Sequence, residues 1–512
     1  MNAIENNVLT HDALIESLLD PSAYVHSVTG PVVLHETHIS WVLLAGTFAY
    51  KIKKPIVTDF LDYGTLTKRH HACCEELRLG NRYATGMYLD VVPVTFEDGQ
   101  IRMDGDAQPI EFAVRMRRFP EDALLGRQLR EDLVTREHML QLATSIAGFH
   151  AIAWRLDRPR GEIVSRVFDQ AKENFNFLLN EPLLRLDPVL LRLENWTTTF
   201  FTSHQSQFRS RMFDGFIREC HGDLHCDNVV FWAGHWVPFD GIEFNSEYSW
   251  IDVASDVSFL VMDLDERGHA DLSSIFLNGY LEQTGDYRSL SVLRWYLVYR
   301  ALVRAKIAVM RACQLNQVQR LDSEQMAPAK EYIQLADRMI TPVKPHLWIT
   351  HGVSGSGKTI GSQRIVQKEA AVRIRSDVER KRLFKTSNLS RSDNESVECM
   401  YSPTASEATY RRLFDVAKDI LRADFPVVVD ATFLKHSDRQ RFQMLAKSEG
   451  AEFRIVDFRV DVETLKQRII DRRLMQNDAS DATLAILADQ LLAQEPLTAD
   501  ELEVTIDGIN YP

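Results

Sequence analysis

Apolar residues change their spacing twice along this chain. Up to about residue 117 they alternate or fall in short runs. Val32–His35, Trp41–Ala45, Phe48–Lys53, Tyr88–Thr95, Ile101–Met103 and Phe112–Arg117 read as strands. A short helical pattern at Asp12–Leu19 precedes them, and a longer one from about Lys68 to Tyr83 interrupts them. From Gly126 the spacing becomes helical, as in Leu140, Leu142, Ala143, Ile146 and Phe149, and Leu293–Ala312 continues it. Asp322–Pro345 is polar, helical in part, and closes on Pro342 and Pro345, as a connection would. Beyond it, the strand patterns Leu347–Thr350, Val372–Ile374, Val427–Val429 and Phe453–Phe458 alternate with helical ones, which implies a parallel sheet wrapped by helices. The expected plan is a strand-rich small lobe and a helical large lobe over residues 1–320, a linker over 321–345, and an α/β domain over 346–512.

Composition narrows the class. At 45% hydrophobic and 26% charged, the 512 residues have the balance of an ordinary globular protein. A net charge of −13 argues against coating nucleic acid, so nucleic acid is not an expected partner. No basic leader followed by an apolar core is visible over Met1–Asp20, and runs such as Trp41–Ala45 and Phe259–Met262 are too short to span a bilayer. The six cysteines (Cys73, Cys74, Cys220, Cys226, Cys313, Cys399) show no C-x-x-C spacing, which fits free thiols in the cytoplasm. His70 and Cys74 would share a helix face, but nothing nearby completes a metal-ligand set, and partly buried thiols on a helix are the simpler reading.

The strand Leu347–Thr350 runs into Gly352-Val353-Ser354-Gly355-Ser356-Gly357-Lys358-Thr359, a G-x-x-x-x-G-K-[ST] loop. Gly352, Gly355 and Gly357 let successive N–H groups turn toward phosphate oxygens. Lys358 supplies a charge for the β- and γ-phosphates, and Thr359 offers a hydroxyl to Mg2+. Val427–Val429 ends in Asp430, an apolar strand delivering a carboxylate to the Mg2+ shell. Val372–Ile374 leads to Asp377, which either orients an acceptor hydroxyl or caps the next helix. Arg468 and Arg472, one turn apart, suit a lid that brings charge to the phosphates, although a lone surface arginine more often makes a salt bridge. The Asp377 stretch resembles that of gluconate-kinase-like and polynucleotide-kinase-like enzymes. Residues 346–512 as a whole resemble a P-loop kinase of the AAA-domain kinase type.

A second constellation lies upstream. His221-Gly222-Asp223-Leu224-His225-Cys226-Asp227-Asn228 has the Asp-x4-Asn spacing of a kinase catalytic loop. That chemistry asks for an Asp to take the acceptor proton and an Asn to hold Mg2+ beside it. A hairpin over Val229–Trp232 and Trp236–Phe239 would return Asp240 beside Asn228 as a second metal carboxylate. Phe48-Ala49-Tyr50-Lys51 resembles the V-A-I-K strand, and Lys53 would share its face. Glu76, rather than Glu75, is the preferred partner of that lysine. Phe112–Phe119 reads as the hinge strand that receives adenine.

These residues closely resemble the aminoglycoside phosphotransferase, or choline-kinase-like, family, whose H-G-D-x-H-x-x-N signature His221–Asn228 matches. Asp252 and Asp256 resemble its acidic follow-on segment, and the likeness covers about residues 30–310. It implies Asp223 as catalytic base, Asn228 and Asp240 as Mg2+ ligands and Lys51 as the anchor of the ATP phosphates. No G-x-G-x-x-G loop precedes Lys51. The two halves together resemble a bacterial fusion family. The expected fold is an α+β protein-kinase-like bilobal domain followed by an α/β P-loop NTPase domain with a parallel sheet. The expected activity is ATP- and Mg2+-dependent phosphoryl transfer to hydroxyls of small metabolites by both halves. Two other readings are a P-loop kinase gated by a non-catalytic kinase-like module, and a kinase acting on polynucleotide ends.

Overall fold

The computed structural model describes residues 10–58, 61–156, 162–316, 321–342, 344–384, 402–475 and 483–509. The chain divides into two compact units. The first comprises residues 1–134, 148–157 and 215–256; the second comprises 135–147, 158–214 and 257–512. An α+β part with an antiparallel sheet and an α/β part with a parallel sheet are both present, as expected, but most of the helices expected in the large lobe of residues 1–320 belong to the second unit.

The first unit is built on a six-stranded antiparallel sheet. Its strands are β1 (Val33–Glu36), β2 (Ser40–Ala45), β3 (Phe48–Lys53), β4 (Tyr88–Glu97), β5 (Gln100–Met103) and β6 (Pro109–Arg117), in the order β1-β2-β3-β6-β4-β5. Alternation along β3 sorts its side chains between the two faces of the sheet. Tyr50 and Ile52 enter a core with Leu43, Val92 and Ala113, so Ala49, Lys51 and Lys53 turn to the opposite face. That face meets the helix Leu66–Tyr83, whose start is capped by Thr65 accepting from the Lys68 N–H at 3.3 Å. Arg69, Ala72, Cys73, Glu76, Leu79 and Tyr83 form its buried stripe at helical spacing. Short pieces complete the unit: β7 (Ile217–Glu219) pairs with β10 (Trp250–Asp252), and β8 (Val229–Trp232) forms a hairpin with β9 (His235–Pro238).

The second unit contains a parallel five-stranded sheet with helices around it. β11 (His346–His351), β12 (Val372–Arg375), β13 (Val427–Asp430), β14 (Glu452–Asp457) and β15 (Thr505–Asp507) run in the order β12-β13-β11-β14-β15. The first four answer the strand patterns in the sequence; β15 does not, because three residues at a sheet edge carry too little periodicity. β11 and β13 are wholly apolar in their centres, as central strands covered on both faces must be. The same unit holds long helices, among them Pro188–Ser203, Ala270–Thr284 and Leu290–Asn316. The expected connection 321–345 contains the helix Ala327–Ile340, which buries Tyr332, Ile333, Leu335 and Ala336. Arg300 and Arg304 of Leu290–Asn316 lie over the rings of Phe259 and Tyr332. Among the described residues, no helix is long and apolar enough to cross a membrane.

Candidate phosphoryl-transfer sites

In the first unit, Lys51 Nζ sits 2.8 Å from Glu76 Oε1 and also contacts Asp240. Lys53, on the same face of β3, bridges the other Glu76 oxygen to Glu243. Glu75, the neighbouring acid, instead pairs with Arg78 one turn away. Two buried ammonium groups thus meet three carboxylates. Burial alone would lower the proton affinity of Lys51, but Asp240 and Glu76 outweigh it and hold the group above its ordinary range. The carboxylates leave one negative charge uncompensated, on the side where Asp240 is still 41% exposed.

The loop before β8 is braced by its own sequence. His221 Nε2 donates to the Phe239 carbonyl at 2.8 Å, and its Nδ1 accepts from the Asp223 N–H at 3.3 Å. Burial depresses the proton affinity of this imidazole, which keeps it neutral in the tautomer those two bonds require. Gly222 has φ +83°, and a Cβ there would stand 2.6 Å from the Tyr248 carbonyl, so only glycine fits. Asp256 accepts the N–H groups of His221 and Gly222 at 3.0 and 2.9 Å. His150, Cys220 and Asp256 form a buried cluster of metal-ligand type, but both Asp256 oxygens already serve the loop backbone, which makes the cluster a brace. His70 and Cys74 do approach, at 3.7 Å, and the His70 ring lies on Phe112. Among the described residues no further ligand joins them.

The braced loop presents Asp223 and Asn228 together. The Asn228 amide nitrogen donates to Asp223 Oδ2 and to the Asp223 carbonyl, both at 3.0 Å. That orientation leaves the side-chain oxygen Oδ1 of Asn228 as a hard donor. The hairpin closes as the sequence implies, with the Phe239 N–H donating to the backbone carbonyl of Asn228 at 2.9 Å. Asp240 comes next, in the left-handed region at φ +59°. Two tyrosine hydroxyls hold this turn: Tyr88 accepts the Asp240 N–H at 2.9 Å and Tyr83 the Gly241 N–H at 3.1 Å. Tyr83, Tyr88, Lys53 and Glu243 carried no motif, and sequence reasoning assigned them no part in the site. Only the two-residue spacing of Lys53 from Lys51 hinted at one of them. The oxygen donors and the surplus negative charge fit a hard divalent cation such as Mg2+.

In the second unit the P-loop leaves β11 and winds into the helix Lys358–Glu369, whose N-cap is Gly357. Gly355 has φ +85°, and a Cβ on it would come 3.2 Å from the Leu465 carbonyl. Gly352 lies at the strand exit, where its N–H donates to the Thr432 carbonyl at 3.1 Å, and it does not line the cleft beyond. That cleft encloses about 1030 Å³ and is lined by Gly355, Gly357, Lys358, Thr359, Asp377 and Asp430, with Arg468 at its side. Lys358 Nζ donates to the Val353 carbonyl at 2.7 Å, within the loop it is to serve. Asp430 accepts from the Ser362 hydroxyl at 3.1 Å, one turn along the helix from Thr359. Asp377 sits in the first turn of Ser376–Leu383, but the N-cap is Arg375, so Asp377 is not the cap; it faces Arg380 at 3.5 Å. Arg468, on the helix Val462–Met475, donates to the Gly355 carbonyl at 3.2 Å. Arg472 lies on the same helix, and its side chain falls outside the described residues, as does Cys399. Thr359 and Asp430 together offer a hydroxyl and a carboxylate, again a donor set that suits Mg2+.

Residues 347–497 match the family model described as an AAA domain. Over 478 residues the chain is 29% identical to an uncharacterized protein of Mycobacterium tuberculosis, covering 92% of each. Among solved structures it is similar to a choline/ethanolamine kinase family protein from Mesorhizobium loti, at 13% identity and a TM-score of 0.37, over 64% of this chain and 99% of that one. A putative kinase from Chloroflexus aurantiacus is similar over 31% of this chain and 84% of its own, at 21% identity and a TM-score of 0.25. The family match and the loop geometry agree on one point: the C-terminal part of this chain is a P-loop nucleotide-binding domain.

Proposed function

We propose that this chain is a phosphotransferase with two separate ATP sites, each moving the γ-phosphoryl group of ATP to a hydroxyl of a small metabolite. The observation that carries the reading is the meeting of Lys51, Glu76 and Asp240 beside the Asp223–Asn228 pair. A strand, a helix, a loop and a hairpin each supply part of it, and a purely structural core has no use for so many charges.

In the first unit, Lys51, held by Glu76, binds the phosphates of ATP. Asp223 orients the acceptor hydroxyl and takes its proton as the new O–P bond forms and the bond to the ADP oxygen breaks. Asn228 and Asp240 would hold Mg2+, which when bound neutralises phosphate oxygens. His221 and Asp256 keep the loop rigid, so that Asp223 loses little entropy on engaging its substrate.

In the second unit, loop N–H groups and Lys358 bind the phosphates, Thr359 and Asp430 would hold Mg2+, and Asp377 takes the proton of the acceptor. Arg468 brings positive charge to the transferring group. The cleft has the size of a site for a nucleotide and a small acceptor, which favours metabolites over polynucleotide ends.

A screen of metabolite pools with labelled ATP tests this. Wild type, Asp223→Asn and Lys358→Ala are run in parallel. Two classes of phosphorylated product are expected, one lost in each variant. Products untouched by Asp223→Asn but all lost in Lys358→Ala would mean that the upstream half is a binding module.

A further inference from the structure

We propose that the helix Ala270–Thr284 is a working part of the P-loop site, with Glu282 as a positioning residue that acts through Arg373. This rests on the reading of the P-loop as a nucleotide site, and it concerns how that site is held in shape.

β12 lies at the end of its sheet, with β13 on one side only. Its other edge is completed by a side chain. Asn278 Oδ1 accepts the Arg373 N–H at 2.7 Å, and its Nδ2 donates to the Ala371 carbonyl at 3.1 Å. One buried amide thus imitates a neighbouring strand and satisfies the edge that would otherwise stand open. Glu282 comes one helical turn later, on the same face. Its carboxylate meets Arg375 Nη1 at 2.9 Å and Arg373 Nη2 at 3.5 Å. Arg382 ties the end of the helix down by donating to the Glu282 carbonyl at 2.6 Å.

The consequence reaches the nucleotide loop. Arg373 is 6% exposed, and its Nη1 donates to the carbonyl of Thr359 at 3.3 Å. Thr359 is the residue whose hydroxyl is assigned to the metal, in the first turn of the P-loop helix. Arg375 stands immediately before Ser376 and Asp377, and all three line the cleft. A buried guanidinium keeps a fixed place only while its charge is balanced. Glu282 is the counter-charge shared by the two arginines that frame the metal-binding and acceptor sides. The relation Glu282–Arg373–Thr359 therefore couples a helix outside the five-stranded sheet to the phosphate grip.

The test is Mg·ATP titration of the full chain by calorimetry, in a Lys51→Met background that removes the upstream site. Glu282→Gln should weaken binding at the P-loop by at least about fivefold. Arg373→Met should do the same, and the double variant should bind no more weakly than Arg373→Met alone, because Glu282 acts through it. Should Glu282→Gln not fold, Asn278→Ala is read against the same fivefold line, with faster hydrogen exchange expected at the Arg373 amide. A change smaller than fivefold, or additive losses in the double variant, would overturn the proposal while Lys358→Ala still abolished binding. If Lys358→Ala left binding intact, the P-loop reading would fall first and take this inference with it.

Discussion

Lys51 Nζ lies 2.8 Å from Glu76 Oε1, with both side chains buried between a strand and a helix. The second Glu76 oxygen serves Lys53, so one carboxylate bridges two ammonium groups whose other partners are Asp240 and Glu243. Glu76→Gln would take the shared buried carboxylate from both lysines, leaving Lys51 with the part-exposed Asp240 and Lys53 with Glu243. A loss of about 1–3 kcal/mol in the stability of the first unit is expected. Urea unfolding of the full chain, followed by hydrogen exchange in β3, measures it. A loss under about 1 kcal/mol would mean that solvent reaches the pair.

Asp223 is the proposed acceptor of the substrate proton. Asp223→Asn keeps its shape and removes its basicity. The turnover of the first unit should fall by about 10²–10⁴, with nucleotide affinity little changed. Single-turnover kinetics separates the two. An equal loss in affinity would assign Asp223 to binding.

Gly222 holds φ +83° under the Tyr248 carbonyl. Gly222→Ala forces the loop to move, at a cost of about 1–3 kcal/mol. The proton acceptor moves with it, so the products assigned to the first unit should vanish while those of the P-loop persist. Unchanged upstream activity would show that the loop need not be rigid.

Acid should loosen the second unit at a defined point. Burial alone would raise the proton affinity of Glu501, but hydrogen bonds from Arg439 and the Thr498 N–H outweigh it and hold its pKa at about 2. A carboxyl depressed in the folded state stabilises fully above its unfolded value of 4.5, and that contribution is lost as pH falls from there toward 2. Glu501→Gln should cost about 3 kcal/mol near neutral pH, since Arg439 is wholly buried, and should flatten the acid limb. Urea titrations at about pH 7 and about pH 3 check both. An equal difference at the two values would rule this carboxylate out as the acid trigger.

Much of this arrangement was legible in the sequence for physical reasons. Catalytic loops keep strict spacing because backbone geometry sets where Asp223 and Asn228 can point. Period-two alternation put Lys51 and Lys53 on one face of their strand, and a hairpin returned Asp240 to Asn228. Other features left no local trace. The grip of Tyr83 and Tyr88 on the Asp240 turn joins a helix and a strand to a hairpin some 150 residues away, through hydroxyls that look like ordinary core tyrosines. Glu243 reads as a surface acid until Lys53 is seen beneath it. Asn278 and Glu282 sit on a helix whose pattern speaks only of burial, while their partners lie on another strand. Side chains that replace backbone partners show no periodicity of their own.

The most direct measurement is the number of nucleotides bound. Calorimetric titration of the full chain with Mg·ATP should give two equivalents. Lys51→Met and Lys358→Ala should each remove one, and each should leave the other's affinity in place. Uptake of a single equivalent, wholly abolished by Lys358→Ala, would contradict the account.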